Sequence, residues 1–226
     1  MDAVALLGRV SLFAGFSNQE LEPLAAAARL RTFPKAAYIF HEGDPGNTLF
    51  VIRSGQVKIA RIGPGGEEVV FAVLLPGDFF GEMALFDDEA YRTASAQAVL
   101  LTECLALSRE LFNRFLDDHP QMARRLLRTL SLYIRRMDES LAEAAFADIP
   151  ARVAGKLLEL SEIQGEQTPE GIRIRTRLPQ RTLAGMVGAS RENVNRALRR
   201  FIVRGDIKQE NGYITVVRPA ELRKRS

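Results

Sequence analysis

Three kinds of hydrophobic spacing follow one another along the 226-residue chain. Between residues 30 and 108, the β-rich runs LFVI (49–52), VKIARI (57–62) and VVFAVLL (69–75) alternate with turn signals. The turns are Gly43-Asp44-Pro45-Gly46, Ser54-Gly55, Gly63-Pro64-Gly65-Gly66 and Pro76-Gly77. Short strands at this spacing predict a barrel or sandwich. Ahead of them, Ser17 with Glu20 three residues on predicts a capping box and a helix leading into the barrel.

From about 109 to 146 the period becomes helical, with no glycine and Pro120 as the one proline. Ala123, Leu127, Leu130, Ile134, Met137, Leu141 and Ala144 recur at alternating steps of four and three, an a/d seam over three heptads. Such a seam suits a two-fold coiled-coil dimer, or a helix whose stripe packs on its own barrel; the Arg- and Glu-rich flanks favour the dimer. After Asp148-Ile149-Pro150 come a further helical stretch, ARVAGKLLELSEI, a break at GEQTPEG and a short strand pair.

Residues 180–201, QRTLAGMVGASRENVNRALRRF, have the layout of a helix-turn-helix. Leu183, Ala184 and Val187 face inward on the first helix, Gly188 supplies the turn and Ser190 caps the second helix. There Val194, Leu198 and Phe201 share one face, leaving Arg191, Glu192, Asn195, Arg196 and Arg199 outward. Long polar side chains starting in the first turn suit a major groove, since arginine reaches guanine O6 and N7 and glutamate accepts from cytosine N4. The plainer alternative is an i,i+4 surface pair of Glu192 and Arg196. Asn211-Gly212 between two strand-like runs predicts a hairpin. It reads as a wing with Lys208 and Arg218 available for phosphates.

Charge sharpens the division. Residues 1–149 carry 15 Lys+Arg against 20 Asp+Glu and residues 150–226 carry 16 against 8, so −5 is followed by +8. A compact basic module fits a phosphate backbone, although a merely solvated surface would show the same balance. Cys104 is the single cysteine, and His41 and His119 stand far apart, which argues against an internal disulfide, a zinc ribbon, an iron–sulfur cluster or a side-chain metal site. No signal peptide and no bilayer-length apolar run are seen, so a cytoplasmic protein without membrane attachment is expected. No nucleophile-and-base set points to an enzyme.

Two stretches carry a resemblance over essentially the whole chain. FGEMALFDDEAYRT (80–93) resembles the phosphate-binding cassette of the cyclic AMP receptor protein (Crp/Fnr) family of transcription regulators, and SRENVNR (190–196) resembles that family's recognition-helix motif. The resemblance implies an α+β fold: a cyclic-nucleotide-binding β-barrel or jelly roll (1–117), a dimerisation helix (118–147) and a winged helix-turn-helix domain (148–226).

A cyclic nucleotide presents an anionic phosphate and a ribose hydroxyl. Arg92 suits the first and Glu82 the second; Gly81 permits close backbone approach, and amides around Met83 and Ala84 can form an anion nest. The alternative is a buried Glu82–Arg92 pair that holds the barrel together. Thr93 is compatible with either common nucleotide. At the family's spacing Met137 and Asp138 fall where the base is contacted, and the alternative alignment through QMARRL would insert about two helical turns. A carboxylate suits guanine's N1–H and N2–H donors. Cyclic AMP is expected on family frequency, with cyclic GMP or a ligand-independent pocket as alternatives. Haem- and oxygen-sensing branches are disfavoured by the lone cysteine and a cassette without histidine.

On the DNA side the resemblance implies a role for Gln180, Ser190, Arg191, Glu192, Asn195, Arg196, Arg199 and Lys208 on double-stranded DNA. It further implies TGTGA-like half-sites read by Arg191, Glu192 and Arg196, a homodimer, and RNA polymerase as partner. A cyclic-nucleotide-binding regulatory subunit of another protein would explain the cassette but leave SRENVNR unused.

Overall fold

The computed structural model describes residues 2–86 and 91–226. Asp87, Asp88, Glu89 and Ala90, inside the cassette, lie outside the described residues, as do the side chains of Arg136, Ser140 and Ala144, the last a member of the predicted seam. The chain divides into two compact units, Met1–Arg61 with Phe71–Ile134 and Ile62–Val70 with Arg135–Ser226.

The first unit opens with α1 (Ala3–Leu7), a 3-10 turn (Ser11–Phe13) and α2 (Asn18–Ala27). The α2 capping box forms as predicted: Glu20 N–H donates to Ser17 Oγ at 3.3 Å and Ser17 N–H donates to Glu20 Oε2 at 2.7 Å. Among the described residues eight strands follow, β1 (Arg29–Phe33), β2 (Tyr38–Phe40), β3 (Thr48–Ser54), β4 (Val57–Ile62), β5 (Glu68–Leu74), β6 (Phe79–Phe80), β7 (Ser95–Ala98) and β8 (Thr102–Ser108). They form two four-stranded sheets ordered β1-β8-β3-β6 and β2-β7-β4-β5. Phe50, Ile52, Phe80 and Cys104 from the first sheet meet Val57 and Ala96 from the second, which is the interior of the barrel. There the Cys104 thiol is pushed up to about 12 by burial, which leaves it a packing group.

The outer face of the first sheet is covered as well. Leu49 and Val51 of β3 and Leu105 and Leu107 of β8 pack with Leu21 and Leu24 of α2 and with Phe112 and Phe115 of α3 (Arg109–Asp118). Both faces of β3 are therefore buried, which is why its sequence is continuously apolar where a strand with one wet face would alternate. The helical stretch of 109–146 is two helices: α3 ends before His119-Pro120 and α4 spans Gln121–Phe146. Proline lacks the N–H to continue the first helix.

In the second unit Asp148 caps α5 (Ile149–Gln164) by accepting from Ala151 N–H at 2.8 Å. The expected break at GEQTPEG is corrected: its first four residues are β9 (Gly165–Thr168), paired antiparallel with β10 (Gly171–Ile174), so only the middle of that stretch turns. Gly165 pairs with Ile174, a cross-strand partner that local turn propensity does not reveal. After α6 (Gln180–Val187) and α7 (Arg191–Val203), β11 (Ile207–Glu210) and β12 (Tyr213–Val216) join this sheet in the order β11-β12-β10-β9. The chain ends in α8 (Pro219–Arg223). Val153, Leu157, Leu183, Val194, Leu198 and Phe201 lie in its core. Among the described residues, no helix is long and apolar enough to cross a membrane, and no group of three His, Cys, Asp or Glu side chains could hold a metal ion.

Candidate functional site

Arg92 is 6% exposed, and the loop after β2 fixes its backbone. Its N–H donates to Asp44 O at 2.8 Å and its carbonyl accepts from Gly43 N–H at 2.9 Å. Nη1 donates to Gly81 O and Nη2 to Thr48 O, both at 2.9 Å, while the guanidinium lies 4.2 Å from the centroid of the Phe40 ring. Arg92 Nε is buried with no hydrogen-bond partner among the described residues. A buried donor left unmet costs about 1–3 kcal/mol, so an anion brought to this guanidinium would satisfy a group the chain does not.

Glu82 is 5% exposed. Burial pushes its carboxyl above the usual carboxylate range, against the pull of its own backbone hydrogen bond and of the Arg92 charge. The alternative of a closed Glu82–Arg92 pair is not what forms: Arg92 spends its hydrogen bonds on the Gly81 and Thr48 carbonyls. Because the folded carboxyl titrates above the ordinary 4.5, the penalty for burying its charge is absent below that pH and grows as pH rises through the folded value. Glu82→Gln should therefore raise the thermal midpoint of the ligand-free protein at neutral pH. The gain should vanish below pH 4.5, and nucleotide affinity should fall. Unfolding curves across pH check this; a gain that persisted in acid would refute it.

Two glycines make the close packing possible. Gly81 has φ +84°, and a Cβ there would lie 2.6 Å from Arg92 Nη1 and 2.9 Å from Thr48 O. At Gly46 a Cβ would lie 2.2 Å from the Ala84 Cβ and 3.1 Å from Arg92 Nε. Gly46→Ala should thus displace the cassette and weaken nucleotide binding by roughly tenfold or more, the scale of a 1–3 kcal/mol overpacking cost. Titration calorimetry reads this directly, and wild-type affinity in the variant would count against it.

Met83, Ala84 and Leu85 form a 3-10 turn that Leu85 N–H closes onto Glu82 O at 3.0 Å. Ala84 is buried and Met83 is 53% exposed. Thr93, exposed, places Oγ1 3.9 Å from Met83 Sδ. Gly81, Glu82, Met83, Ala84, Arg92 and Thr93 all belong to the first unit, whereas Met137 and Asp138 are exposed on α4 in the second.

In the helix-turn-helix, Gly188 ends α6 with φ 58° and ψ 46°, a left-handed turn. Ser190 Oγ accepts from Asn193 N–H at 3.3 Å and so starts α7. Val194, Leu198 and Phe201 are buried, while Arg191, Glu192, Arg196 and Arg199 are exposed. Asn195, half-buried, accepts from Gln180 Nε2 at 3.3 Å, tying the two helices together. The wing forms around Asn211 (φ 51°) and Gly212 (φ 82°).

The comparisons with known proteins match this geometry. Residues 30–119 match the family model of the cyclic nucleotide-binding domain and residues 151–225 that of the Crp-like helix-turn-helix domain. The CRP-like cAMP-activated global transcriptional regulator of Mycobacterium tuberculosis is 35% identical over 221 residues, 98% of each chain. This chain belongs to the Crp/Fnr family of transcription regulators. The crystal structure of the Thermus thermophilus catabolite activator protein is 34% identical and covers 95% of this chain and 97% of its own, with a TM-score of 0.55. The c-di-GMP responsive global regulator CLP of Xanthomonas campestris is 25% identical over 88% of this chain and 99% of its own, with a TM-score of 0.74.

Crp/Fnr members are transcription regulators and not enzymes, and this chain carries both a cyclic nucleotide-binding domain and a Crp-like helix-turn-helix domain. One wing expectation of the sequence needs correction. Arg218 is committed to the fully buried Asp206, donating from Nη2 to Oδ1 at 2.8 Å, and Arg225 Nε takes the other oxygen at 3.2 Å. A buried carboxylate must be paired, and that holds Arg218 to the fold. Lys208 stays available as expected: its ion pair with Glu170 at 2.7 Å is exposed, and a solvent-screened pair of this kind is weak enough for a phosphate to displace it. Sequence reading missed Gly46 as a cassette contact, since it looked like an ordinary turn glycine, and missed Phe40 beneath Arg92, since no spacing links residues 40 and 92.

Proposed function

We propose that the protein is a homodimeric, cytoplasmic transcription regulator whose affinity for a near-palindromic operator is raised by cyclic AMP. The carrying observation is a pair of buried groups in the barrel, Arg92 Nε with no hydrogen-bond partner among the described residues and Glu82 outside any closed ion pair with Arg92. A cyclic phosphate and a ribose hydroxyl would complete both. The cAMP-activated name of the Mycobacterium tuberculosis relative supports cyclic AMP as the ligand. Gly81, Met83, Ala84 and Thr93 would frame the phosphate. Ser190, Arg191, Glu192, Asn195, Arg196 and Arg199 would meet DNA at TGTGA-like half-sites, with Gln180 and Lys208 at the flanks. Two half-sites roughly one helical turn, ~10 base pairs, apart would match a two-fold dimer, and RNA polymerase would be the partner at the promoter.

The exposed carboxylate of Asp138 on α4 supports cyclic GMP as the second reading. The test is parallel calorimetric titration with cyclic AMP and cyclic GMP, followed by operator binding with and without the bound nucleotide. Binding of cyclic AMP together with a rise in operator affinity supports the proposal. Stronger binding of cyclic GMP, with a preference that Asp138→Ala erases, supports the second reading. Operator binding that ignores both nucleotides would indicate a ligand-independent regulator; nucleotide binding without any operator binding would indicate a regulatory subunit.

A further inference from the structure

We infer that Arg109, far from the cassette in sequence, is the residue that positions the cassette turn against Arg92. Its Nη2 donates to Ala84 O at 2.6 Å and to Gly46 O at 2.7 Å, so one guanidinium joins the 3-10 turn of the cassette to the loop that precedes β3. The same loop accepts the backbone of Arg109, whose N–H donates to Asn47 O at 2.8 Å. Gly43 and Asp44, at the start of that loop, hold the backbone of Arg92, and the space of a Cβ at Gly46 is filled by Ala84 and the Arg92 side chain.

Among the described residues the three segments meet without regular strand pairing, apart from a single bridge between Pro45 and Tyr91. A cation that donates to two carbonyls is a stronger tie than neutral bonds would be. Fixing the Ala84 carbonyl fixes the peptide planes of the turn, and with them the direction of the Met83 and Ala84 amides. Burial is the main cause that lowers the Arg92 pKa, and the charge of Arg109 adds to it against the pull of Glu82 and Asp44. Arg109 is also the first residue of α3, so the bond from the cassette is made at a helix end.

This assignment rests on the reading of the barrel as a cyclic-nucleotide pocket, and its test keeps the two apart. Full-length wild type, Arg109→Lys and Arg109→Met are compared in calorimetric titrations with cyclic AMP and cyclic GMP, with Arg92→Leu as the control for the reading. Arg109→Met should weaken binding about tenfold or more, the loss of one charged hydrogen bond on the usual scale. Arg109→Lys, which keeps the charge and donors for both carbonyls, should restore most of the affinity. Equal losses in Lys and Met variants, or no loss in Met, would overturn the assignment. Amide hydrogen exchange of Met83, Ala84 and Leu85 without ligand is measured in parallel. Faster exchange there in Arg109→Met than in Arg109→Lys, at matched thermal midpoints, supports positioning; equal exchange overturns it. If wild type binds neither nucleotide, the pocket reading falls, and the exchange comparison still decides the role of Arg109.

Discussion

Arg92→Leu is expected to abolish the nucleotide response while leaving the barrel folded. The arginine ties Gly81 O to Thr48 O, and its buried Nε has no hydrogen-bond partner among the described residues. A charged hydrogen bond is worth about 1.5–3 kcal/mol, so losing two from an anion should weaken binding at least about a hundredfold. Leucine can still pack against Phe40, which now carries the guanidinium on its face. Far-ultraviolet circular dichroism and the thermal midpoint check the fold, calorimetry checks binding, and operator titration checks the response. A folded variant that still gained operator affinity on adding cyclic AMP would sink the proposed role.

Charging the seam should have a comparable effect by a different route. Ile134 and Leu141 on α4 are 61% and 72% exposed in the single chain, with Leu127 and Met137 equally open at 63% and 69%. These four stand at a/d spacing on a helix of 26 residues, so a face large enough for a coiled coil is left bare in one copy. At the start of the helix it is Met122 and Leu126, not seam positions, that are buried in the first core, and of the seam Leu130 is half-buried. Ile134→Glu with Leu141→Glu places four carboxylates in a two-fold seam. At about 1.5–3 kcal/mol for each buried aliphatic side chain, the dimer should be lost at micromolar concentration. Sedimentation velocity should show a monomer, and affinity for a two-half-site operator should drop about a hundredfold or more. The thermal midpoint of the monomer should stay put because neither side chain contributes to its core. A dimer that survived both substitutions would show that α4 is not the interface.

What could be read from the chain follows the range of the interactions involved. Strand positions, the Ser17 capping box, the turn at Gly188, the Ser190 cap and the hairpin at Asn211-Gly212 all depend on residues within a few positions of one another, and each forms as the local pattern predicts. GEQT became a strand because its partner lies beyond a turn, on β10, and Arg218 was lost to the wing because Asp206 is buried beside it. Long-range partners of this kind leave no local trace.

The sequence by itself determined the order of the parts, the acidic front and basic end, and the two motifs that placed the chain in its family. It also named the residue types that can meet a cyclic phosphate and a base edge. Tertiary structure decided how those residues are used. It brought Gly46, Phe40, Thr48 and Arg109 to Arg92, left Glu82 buried without a closed ion pair, and tied Arg218 to Asp206. The reason is physical: burial and charge pairing are properties of groups gathered from distant positions, and their cost or benefit exists only once the chain has closed around them.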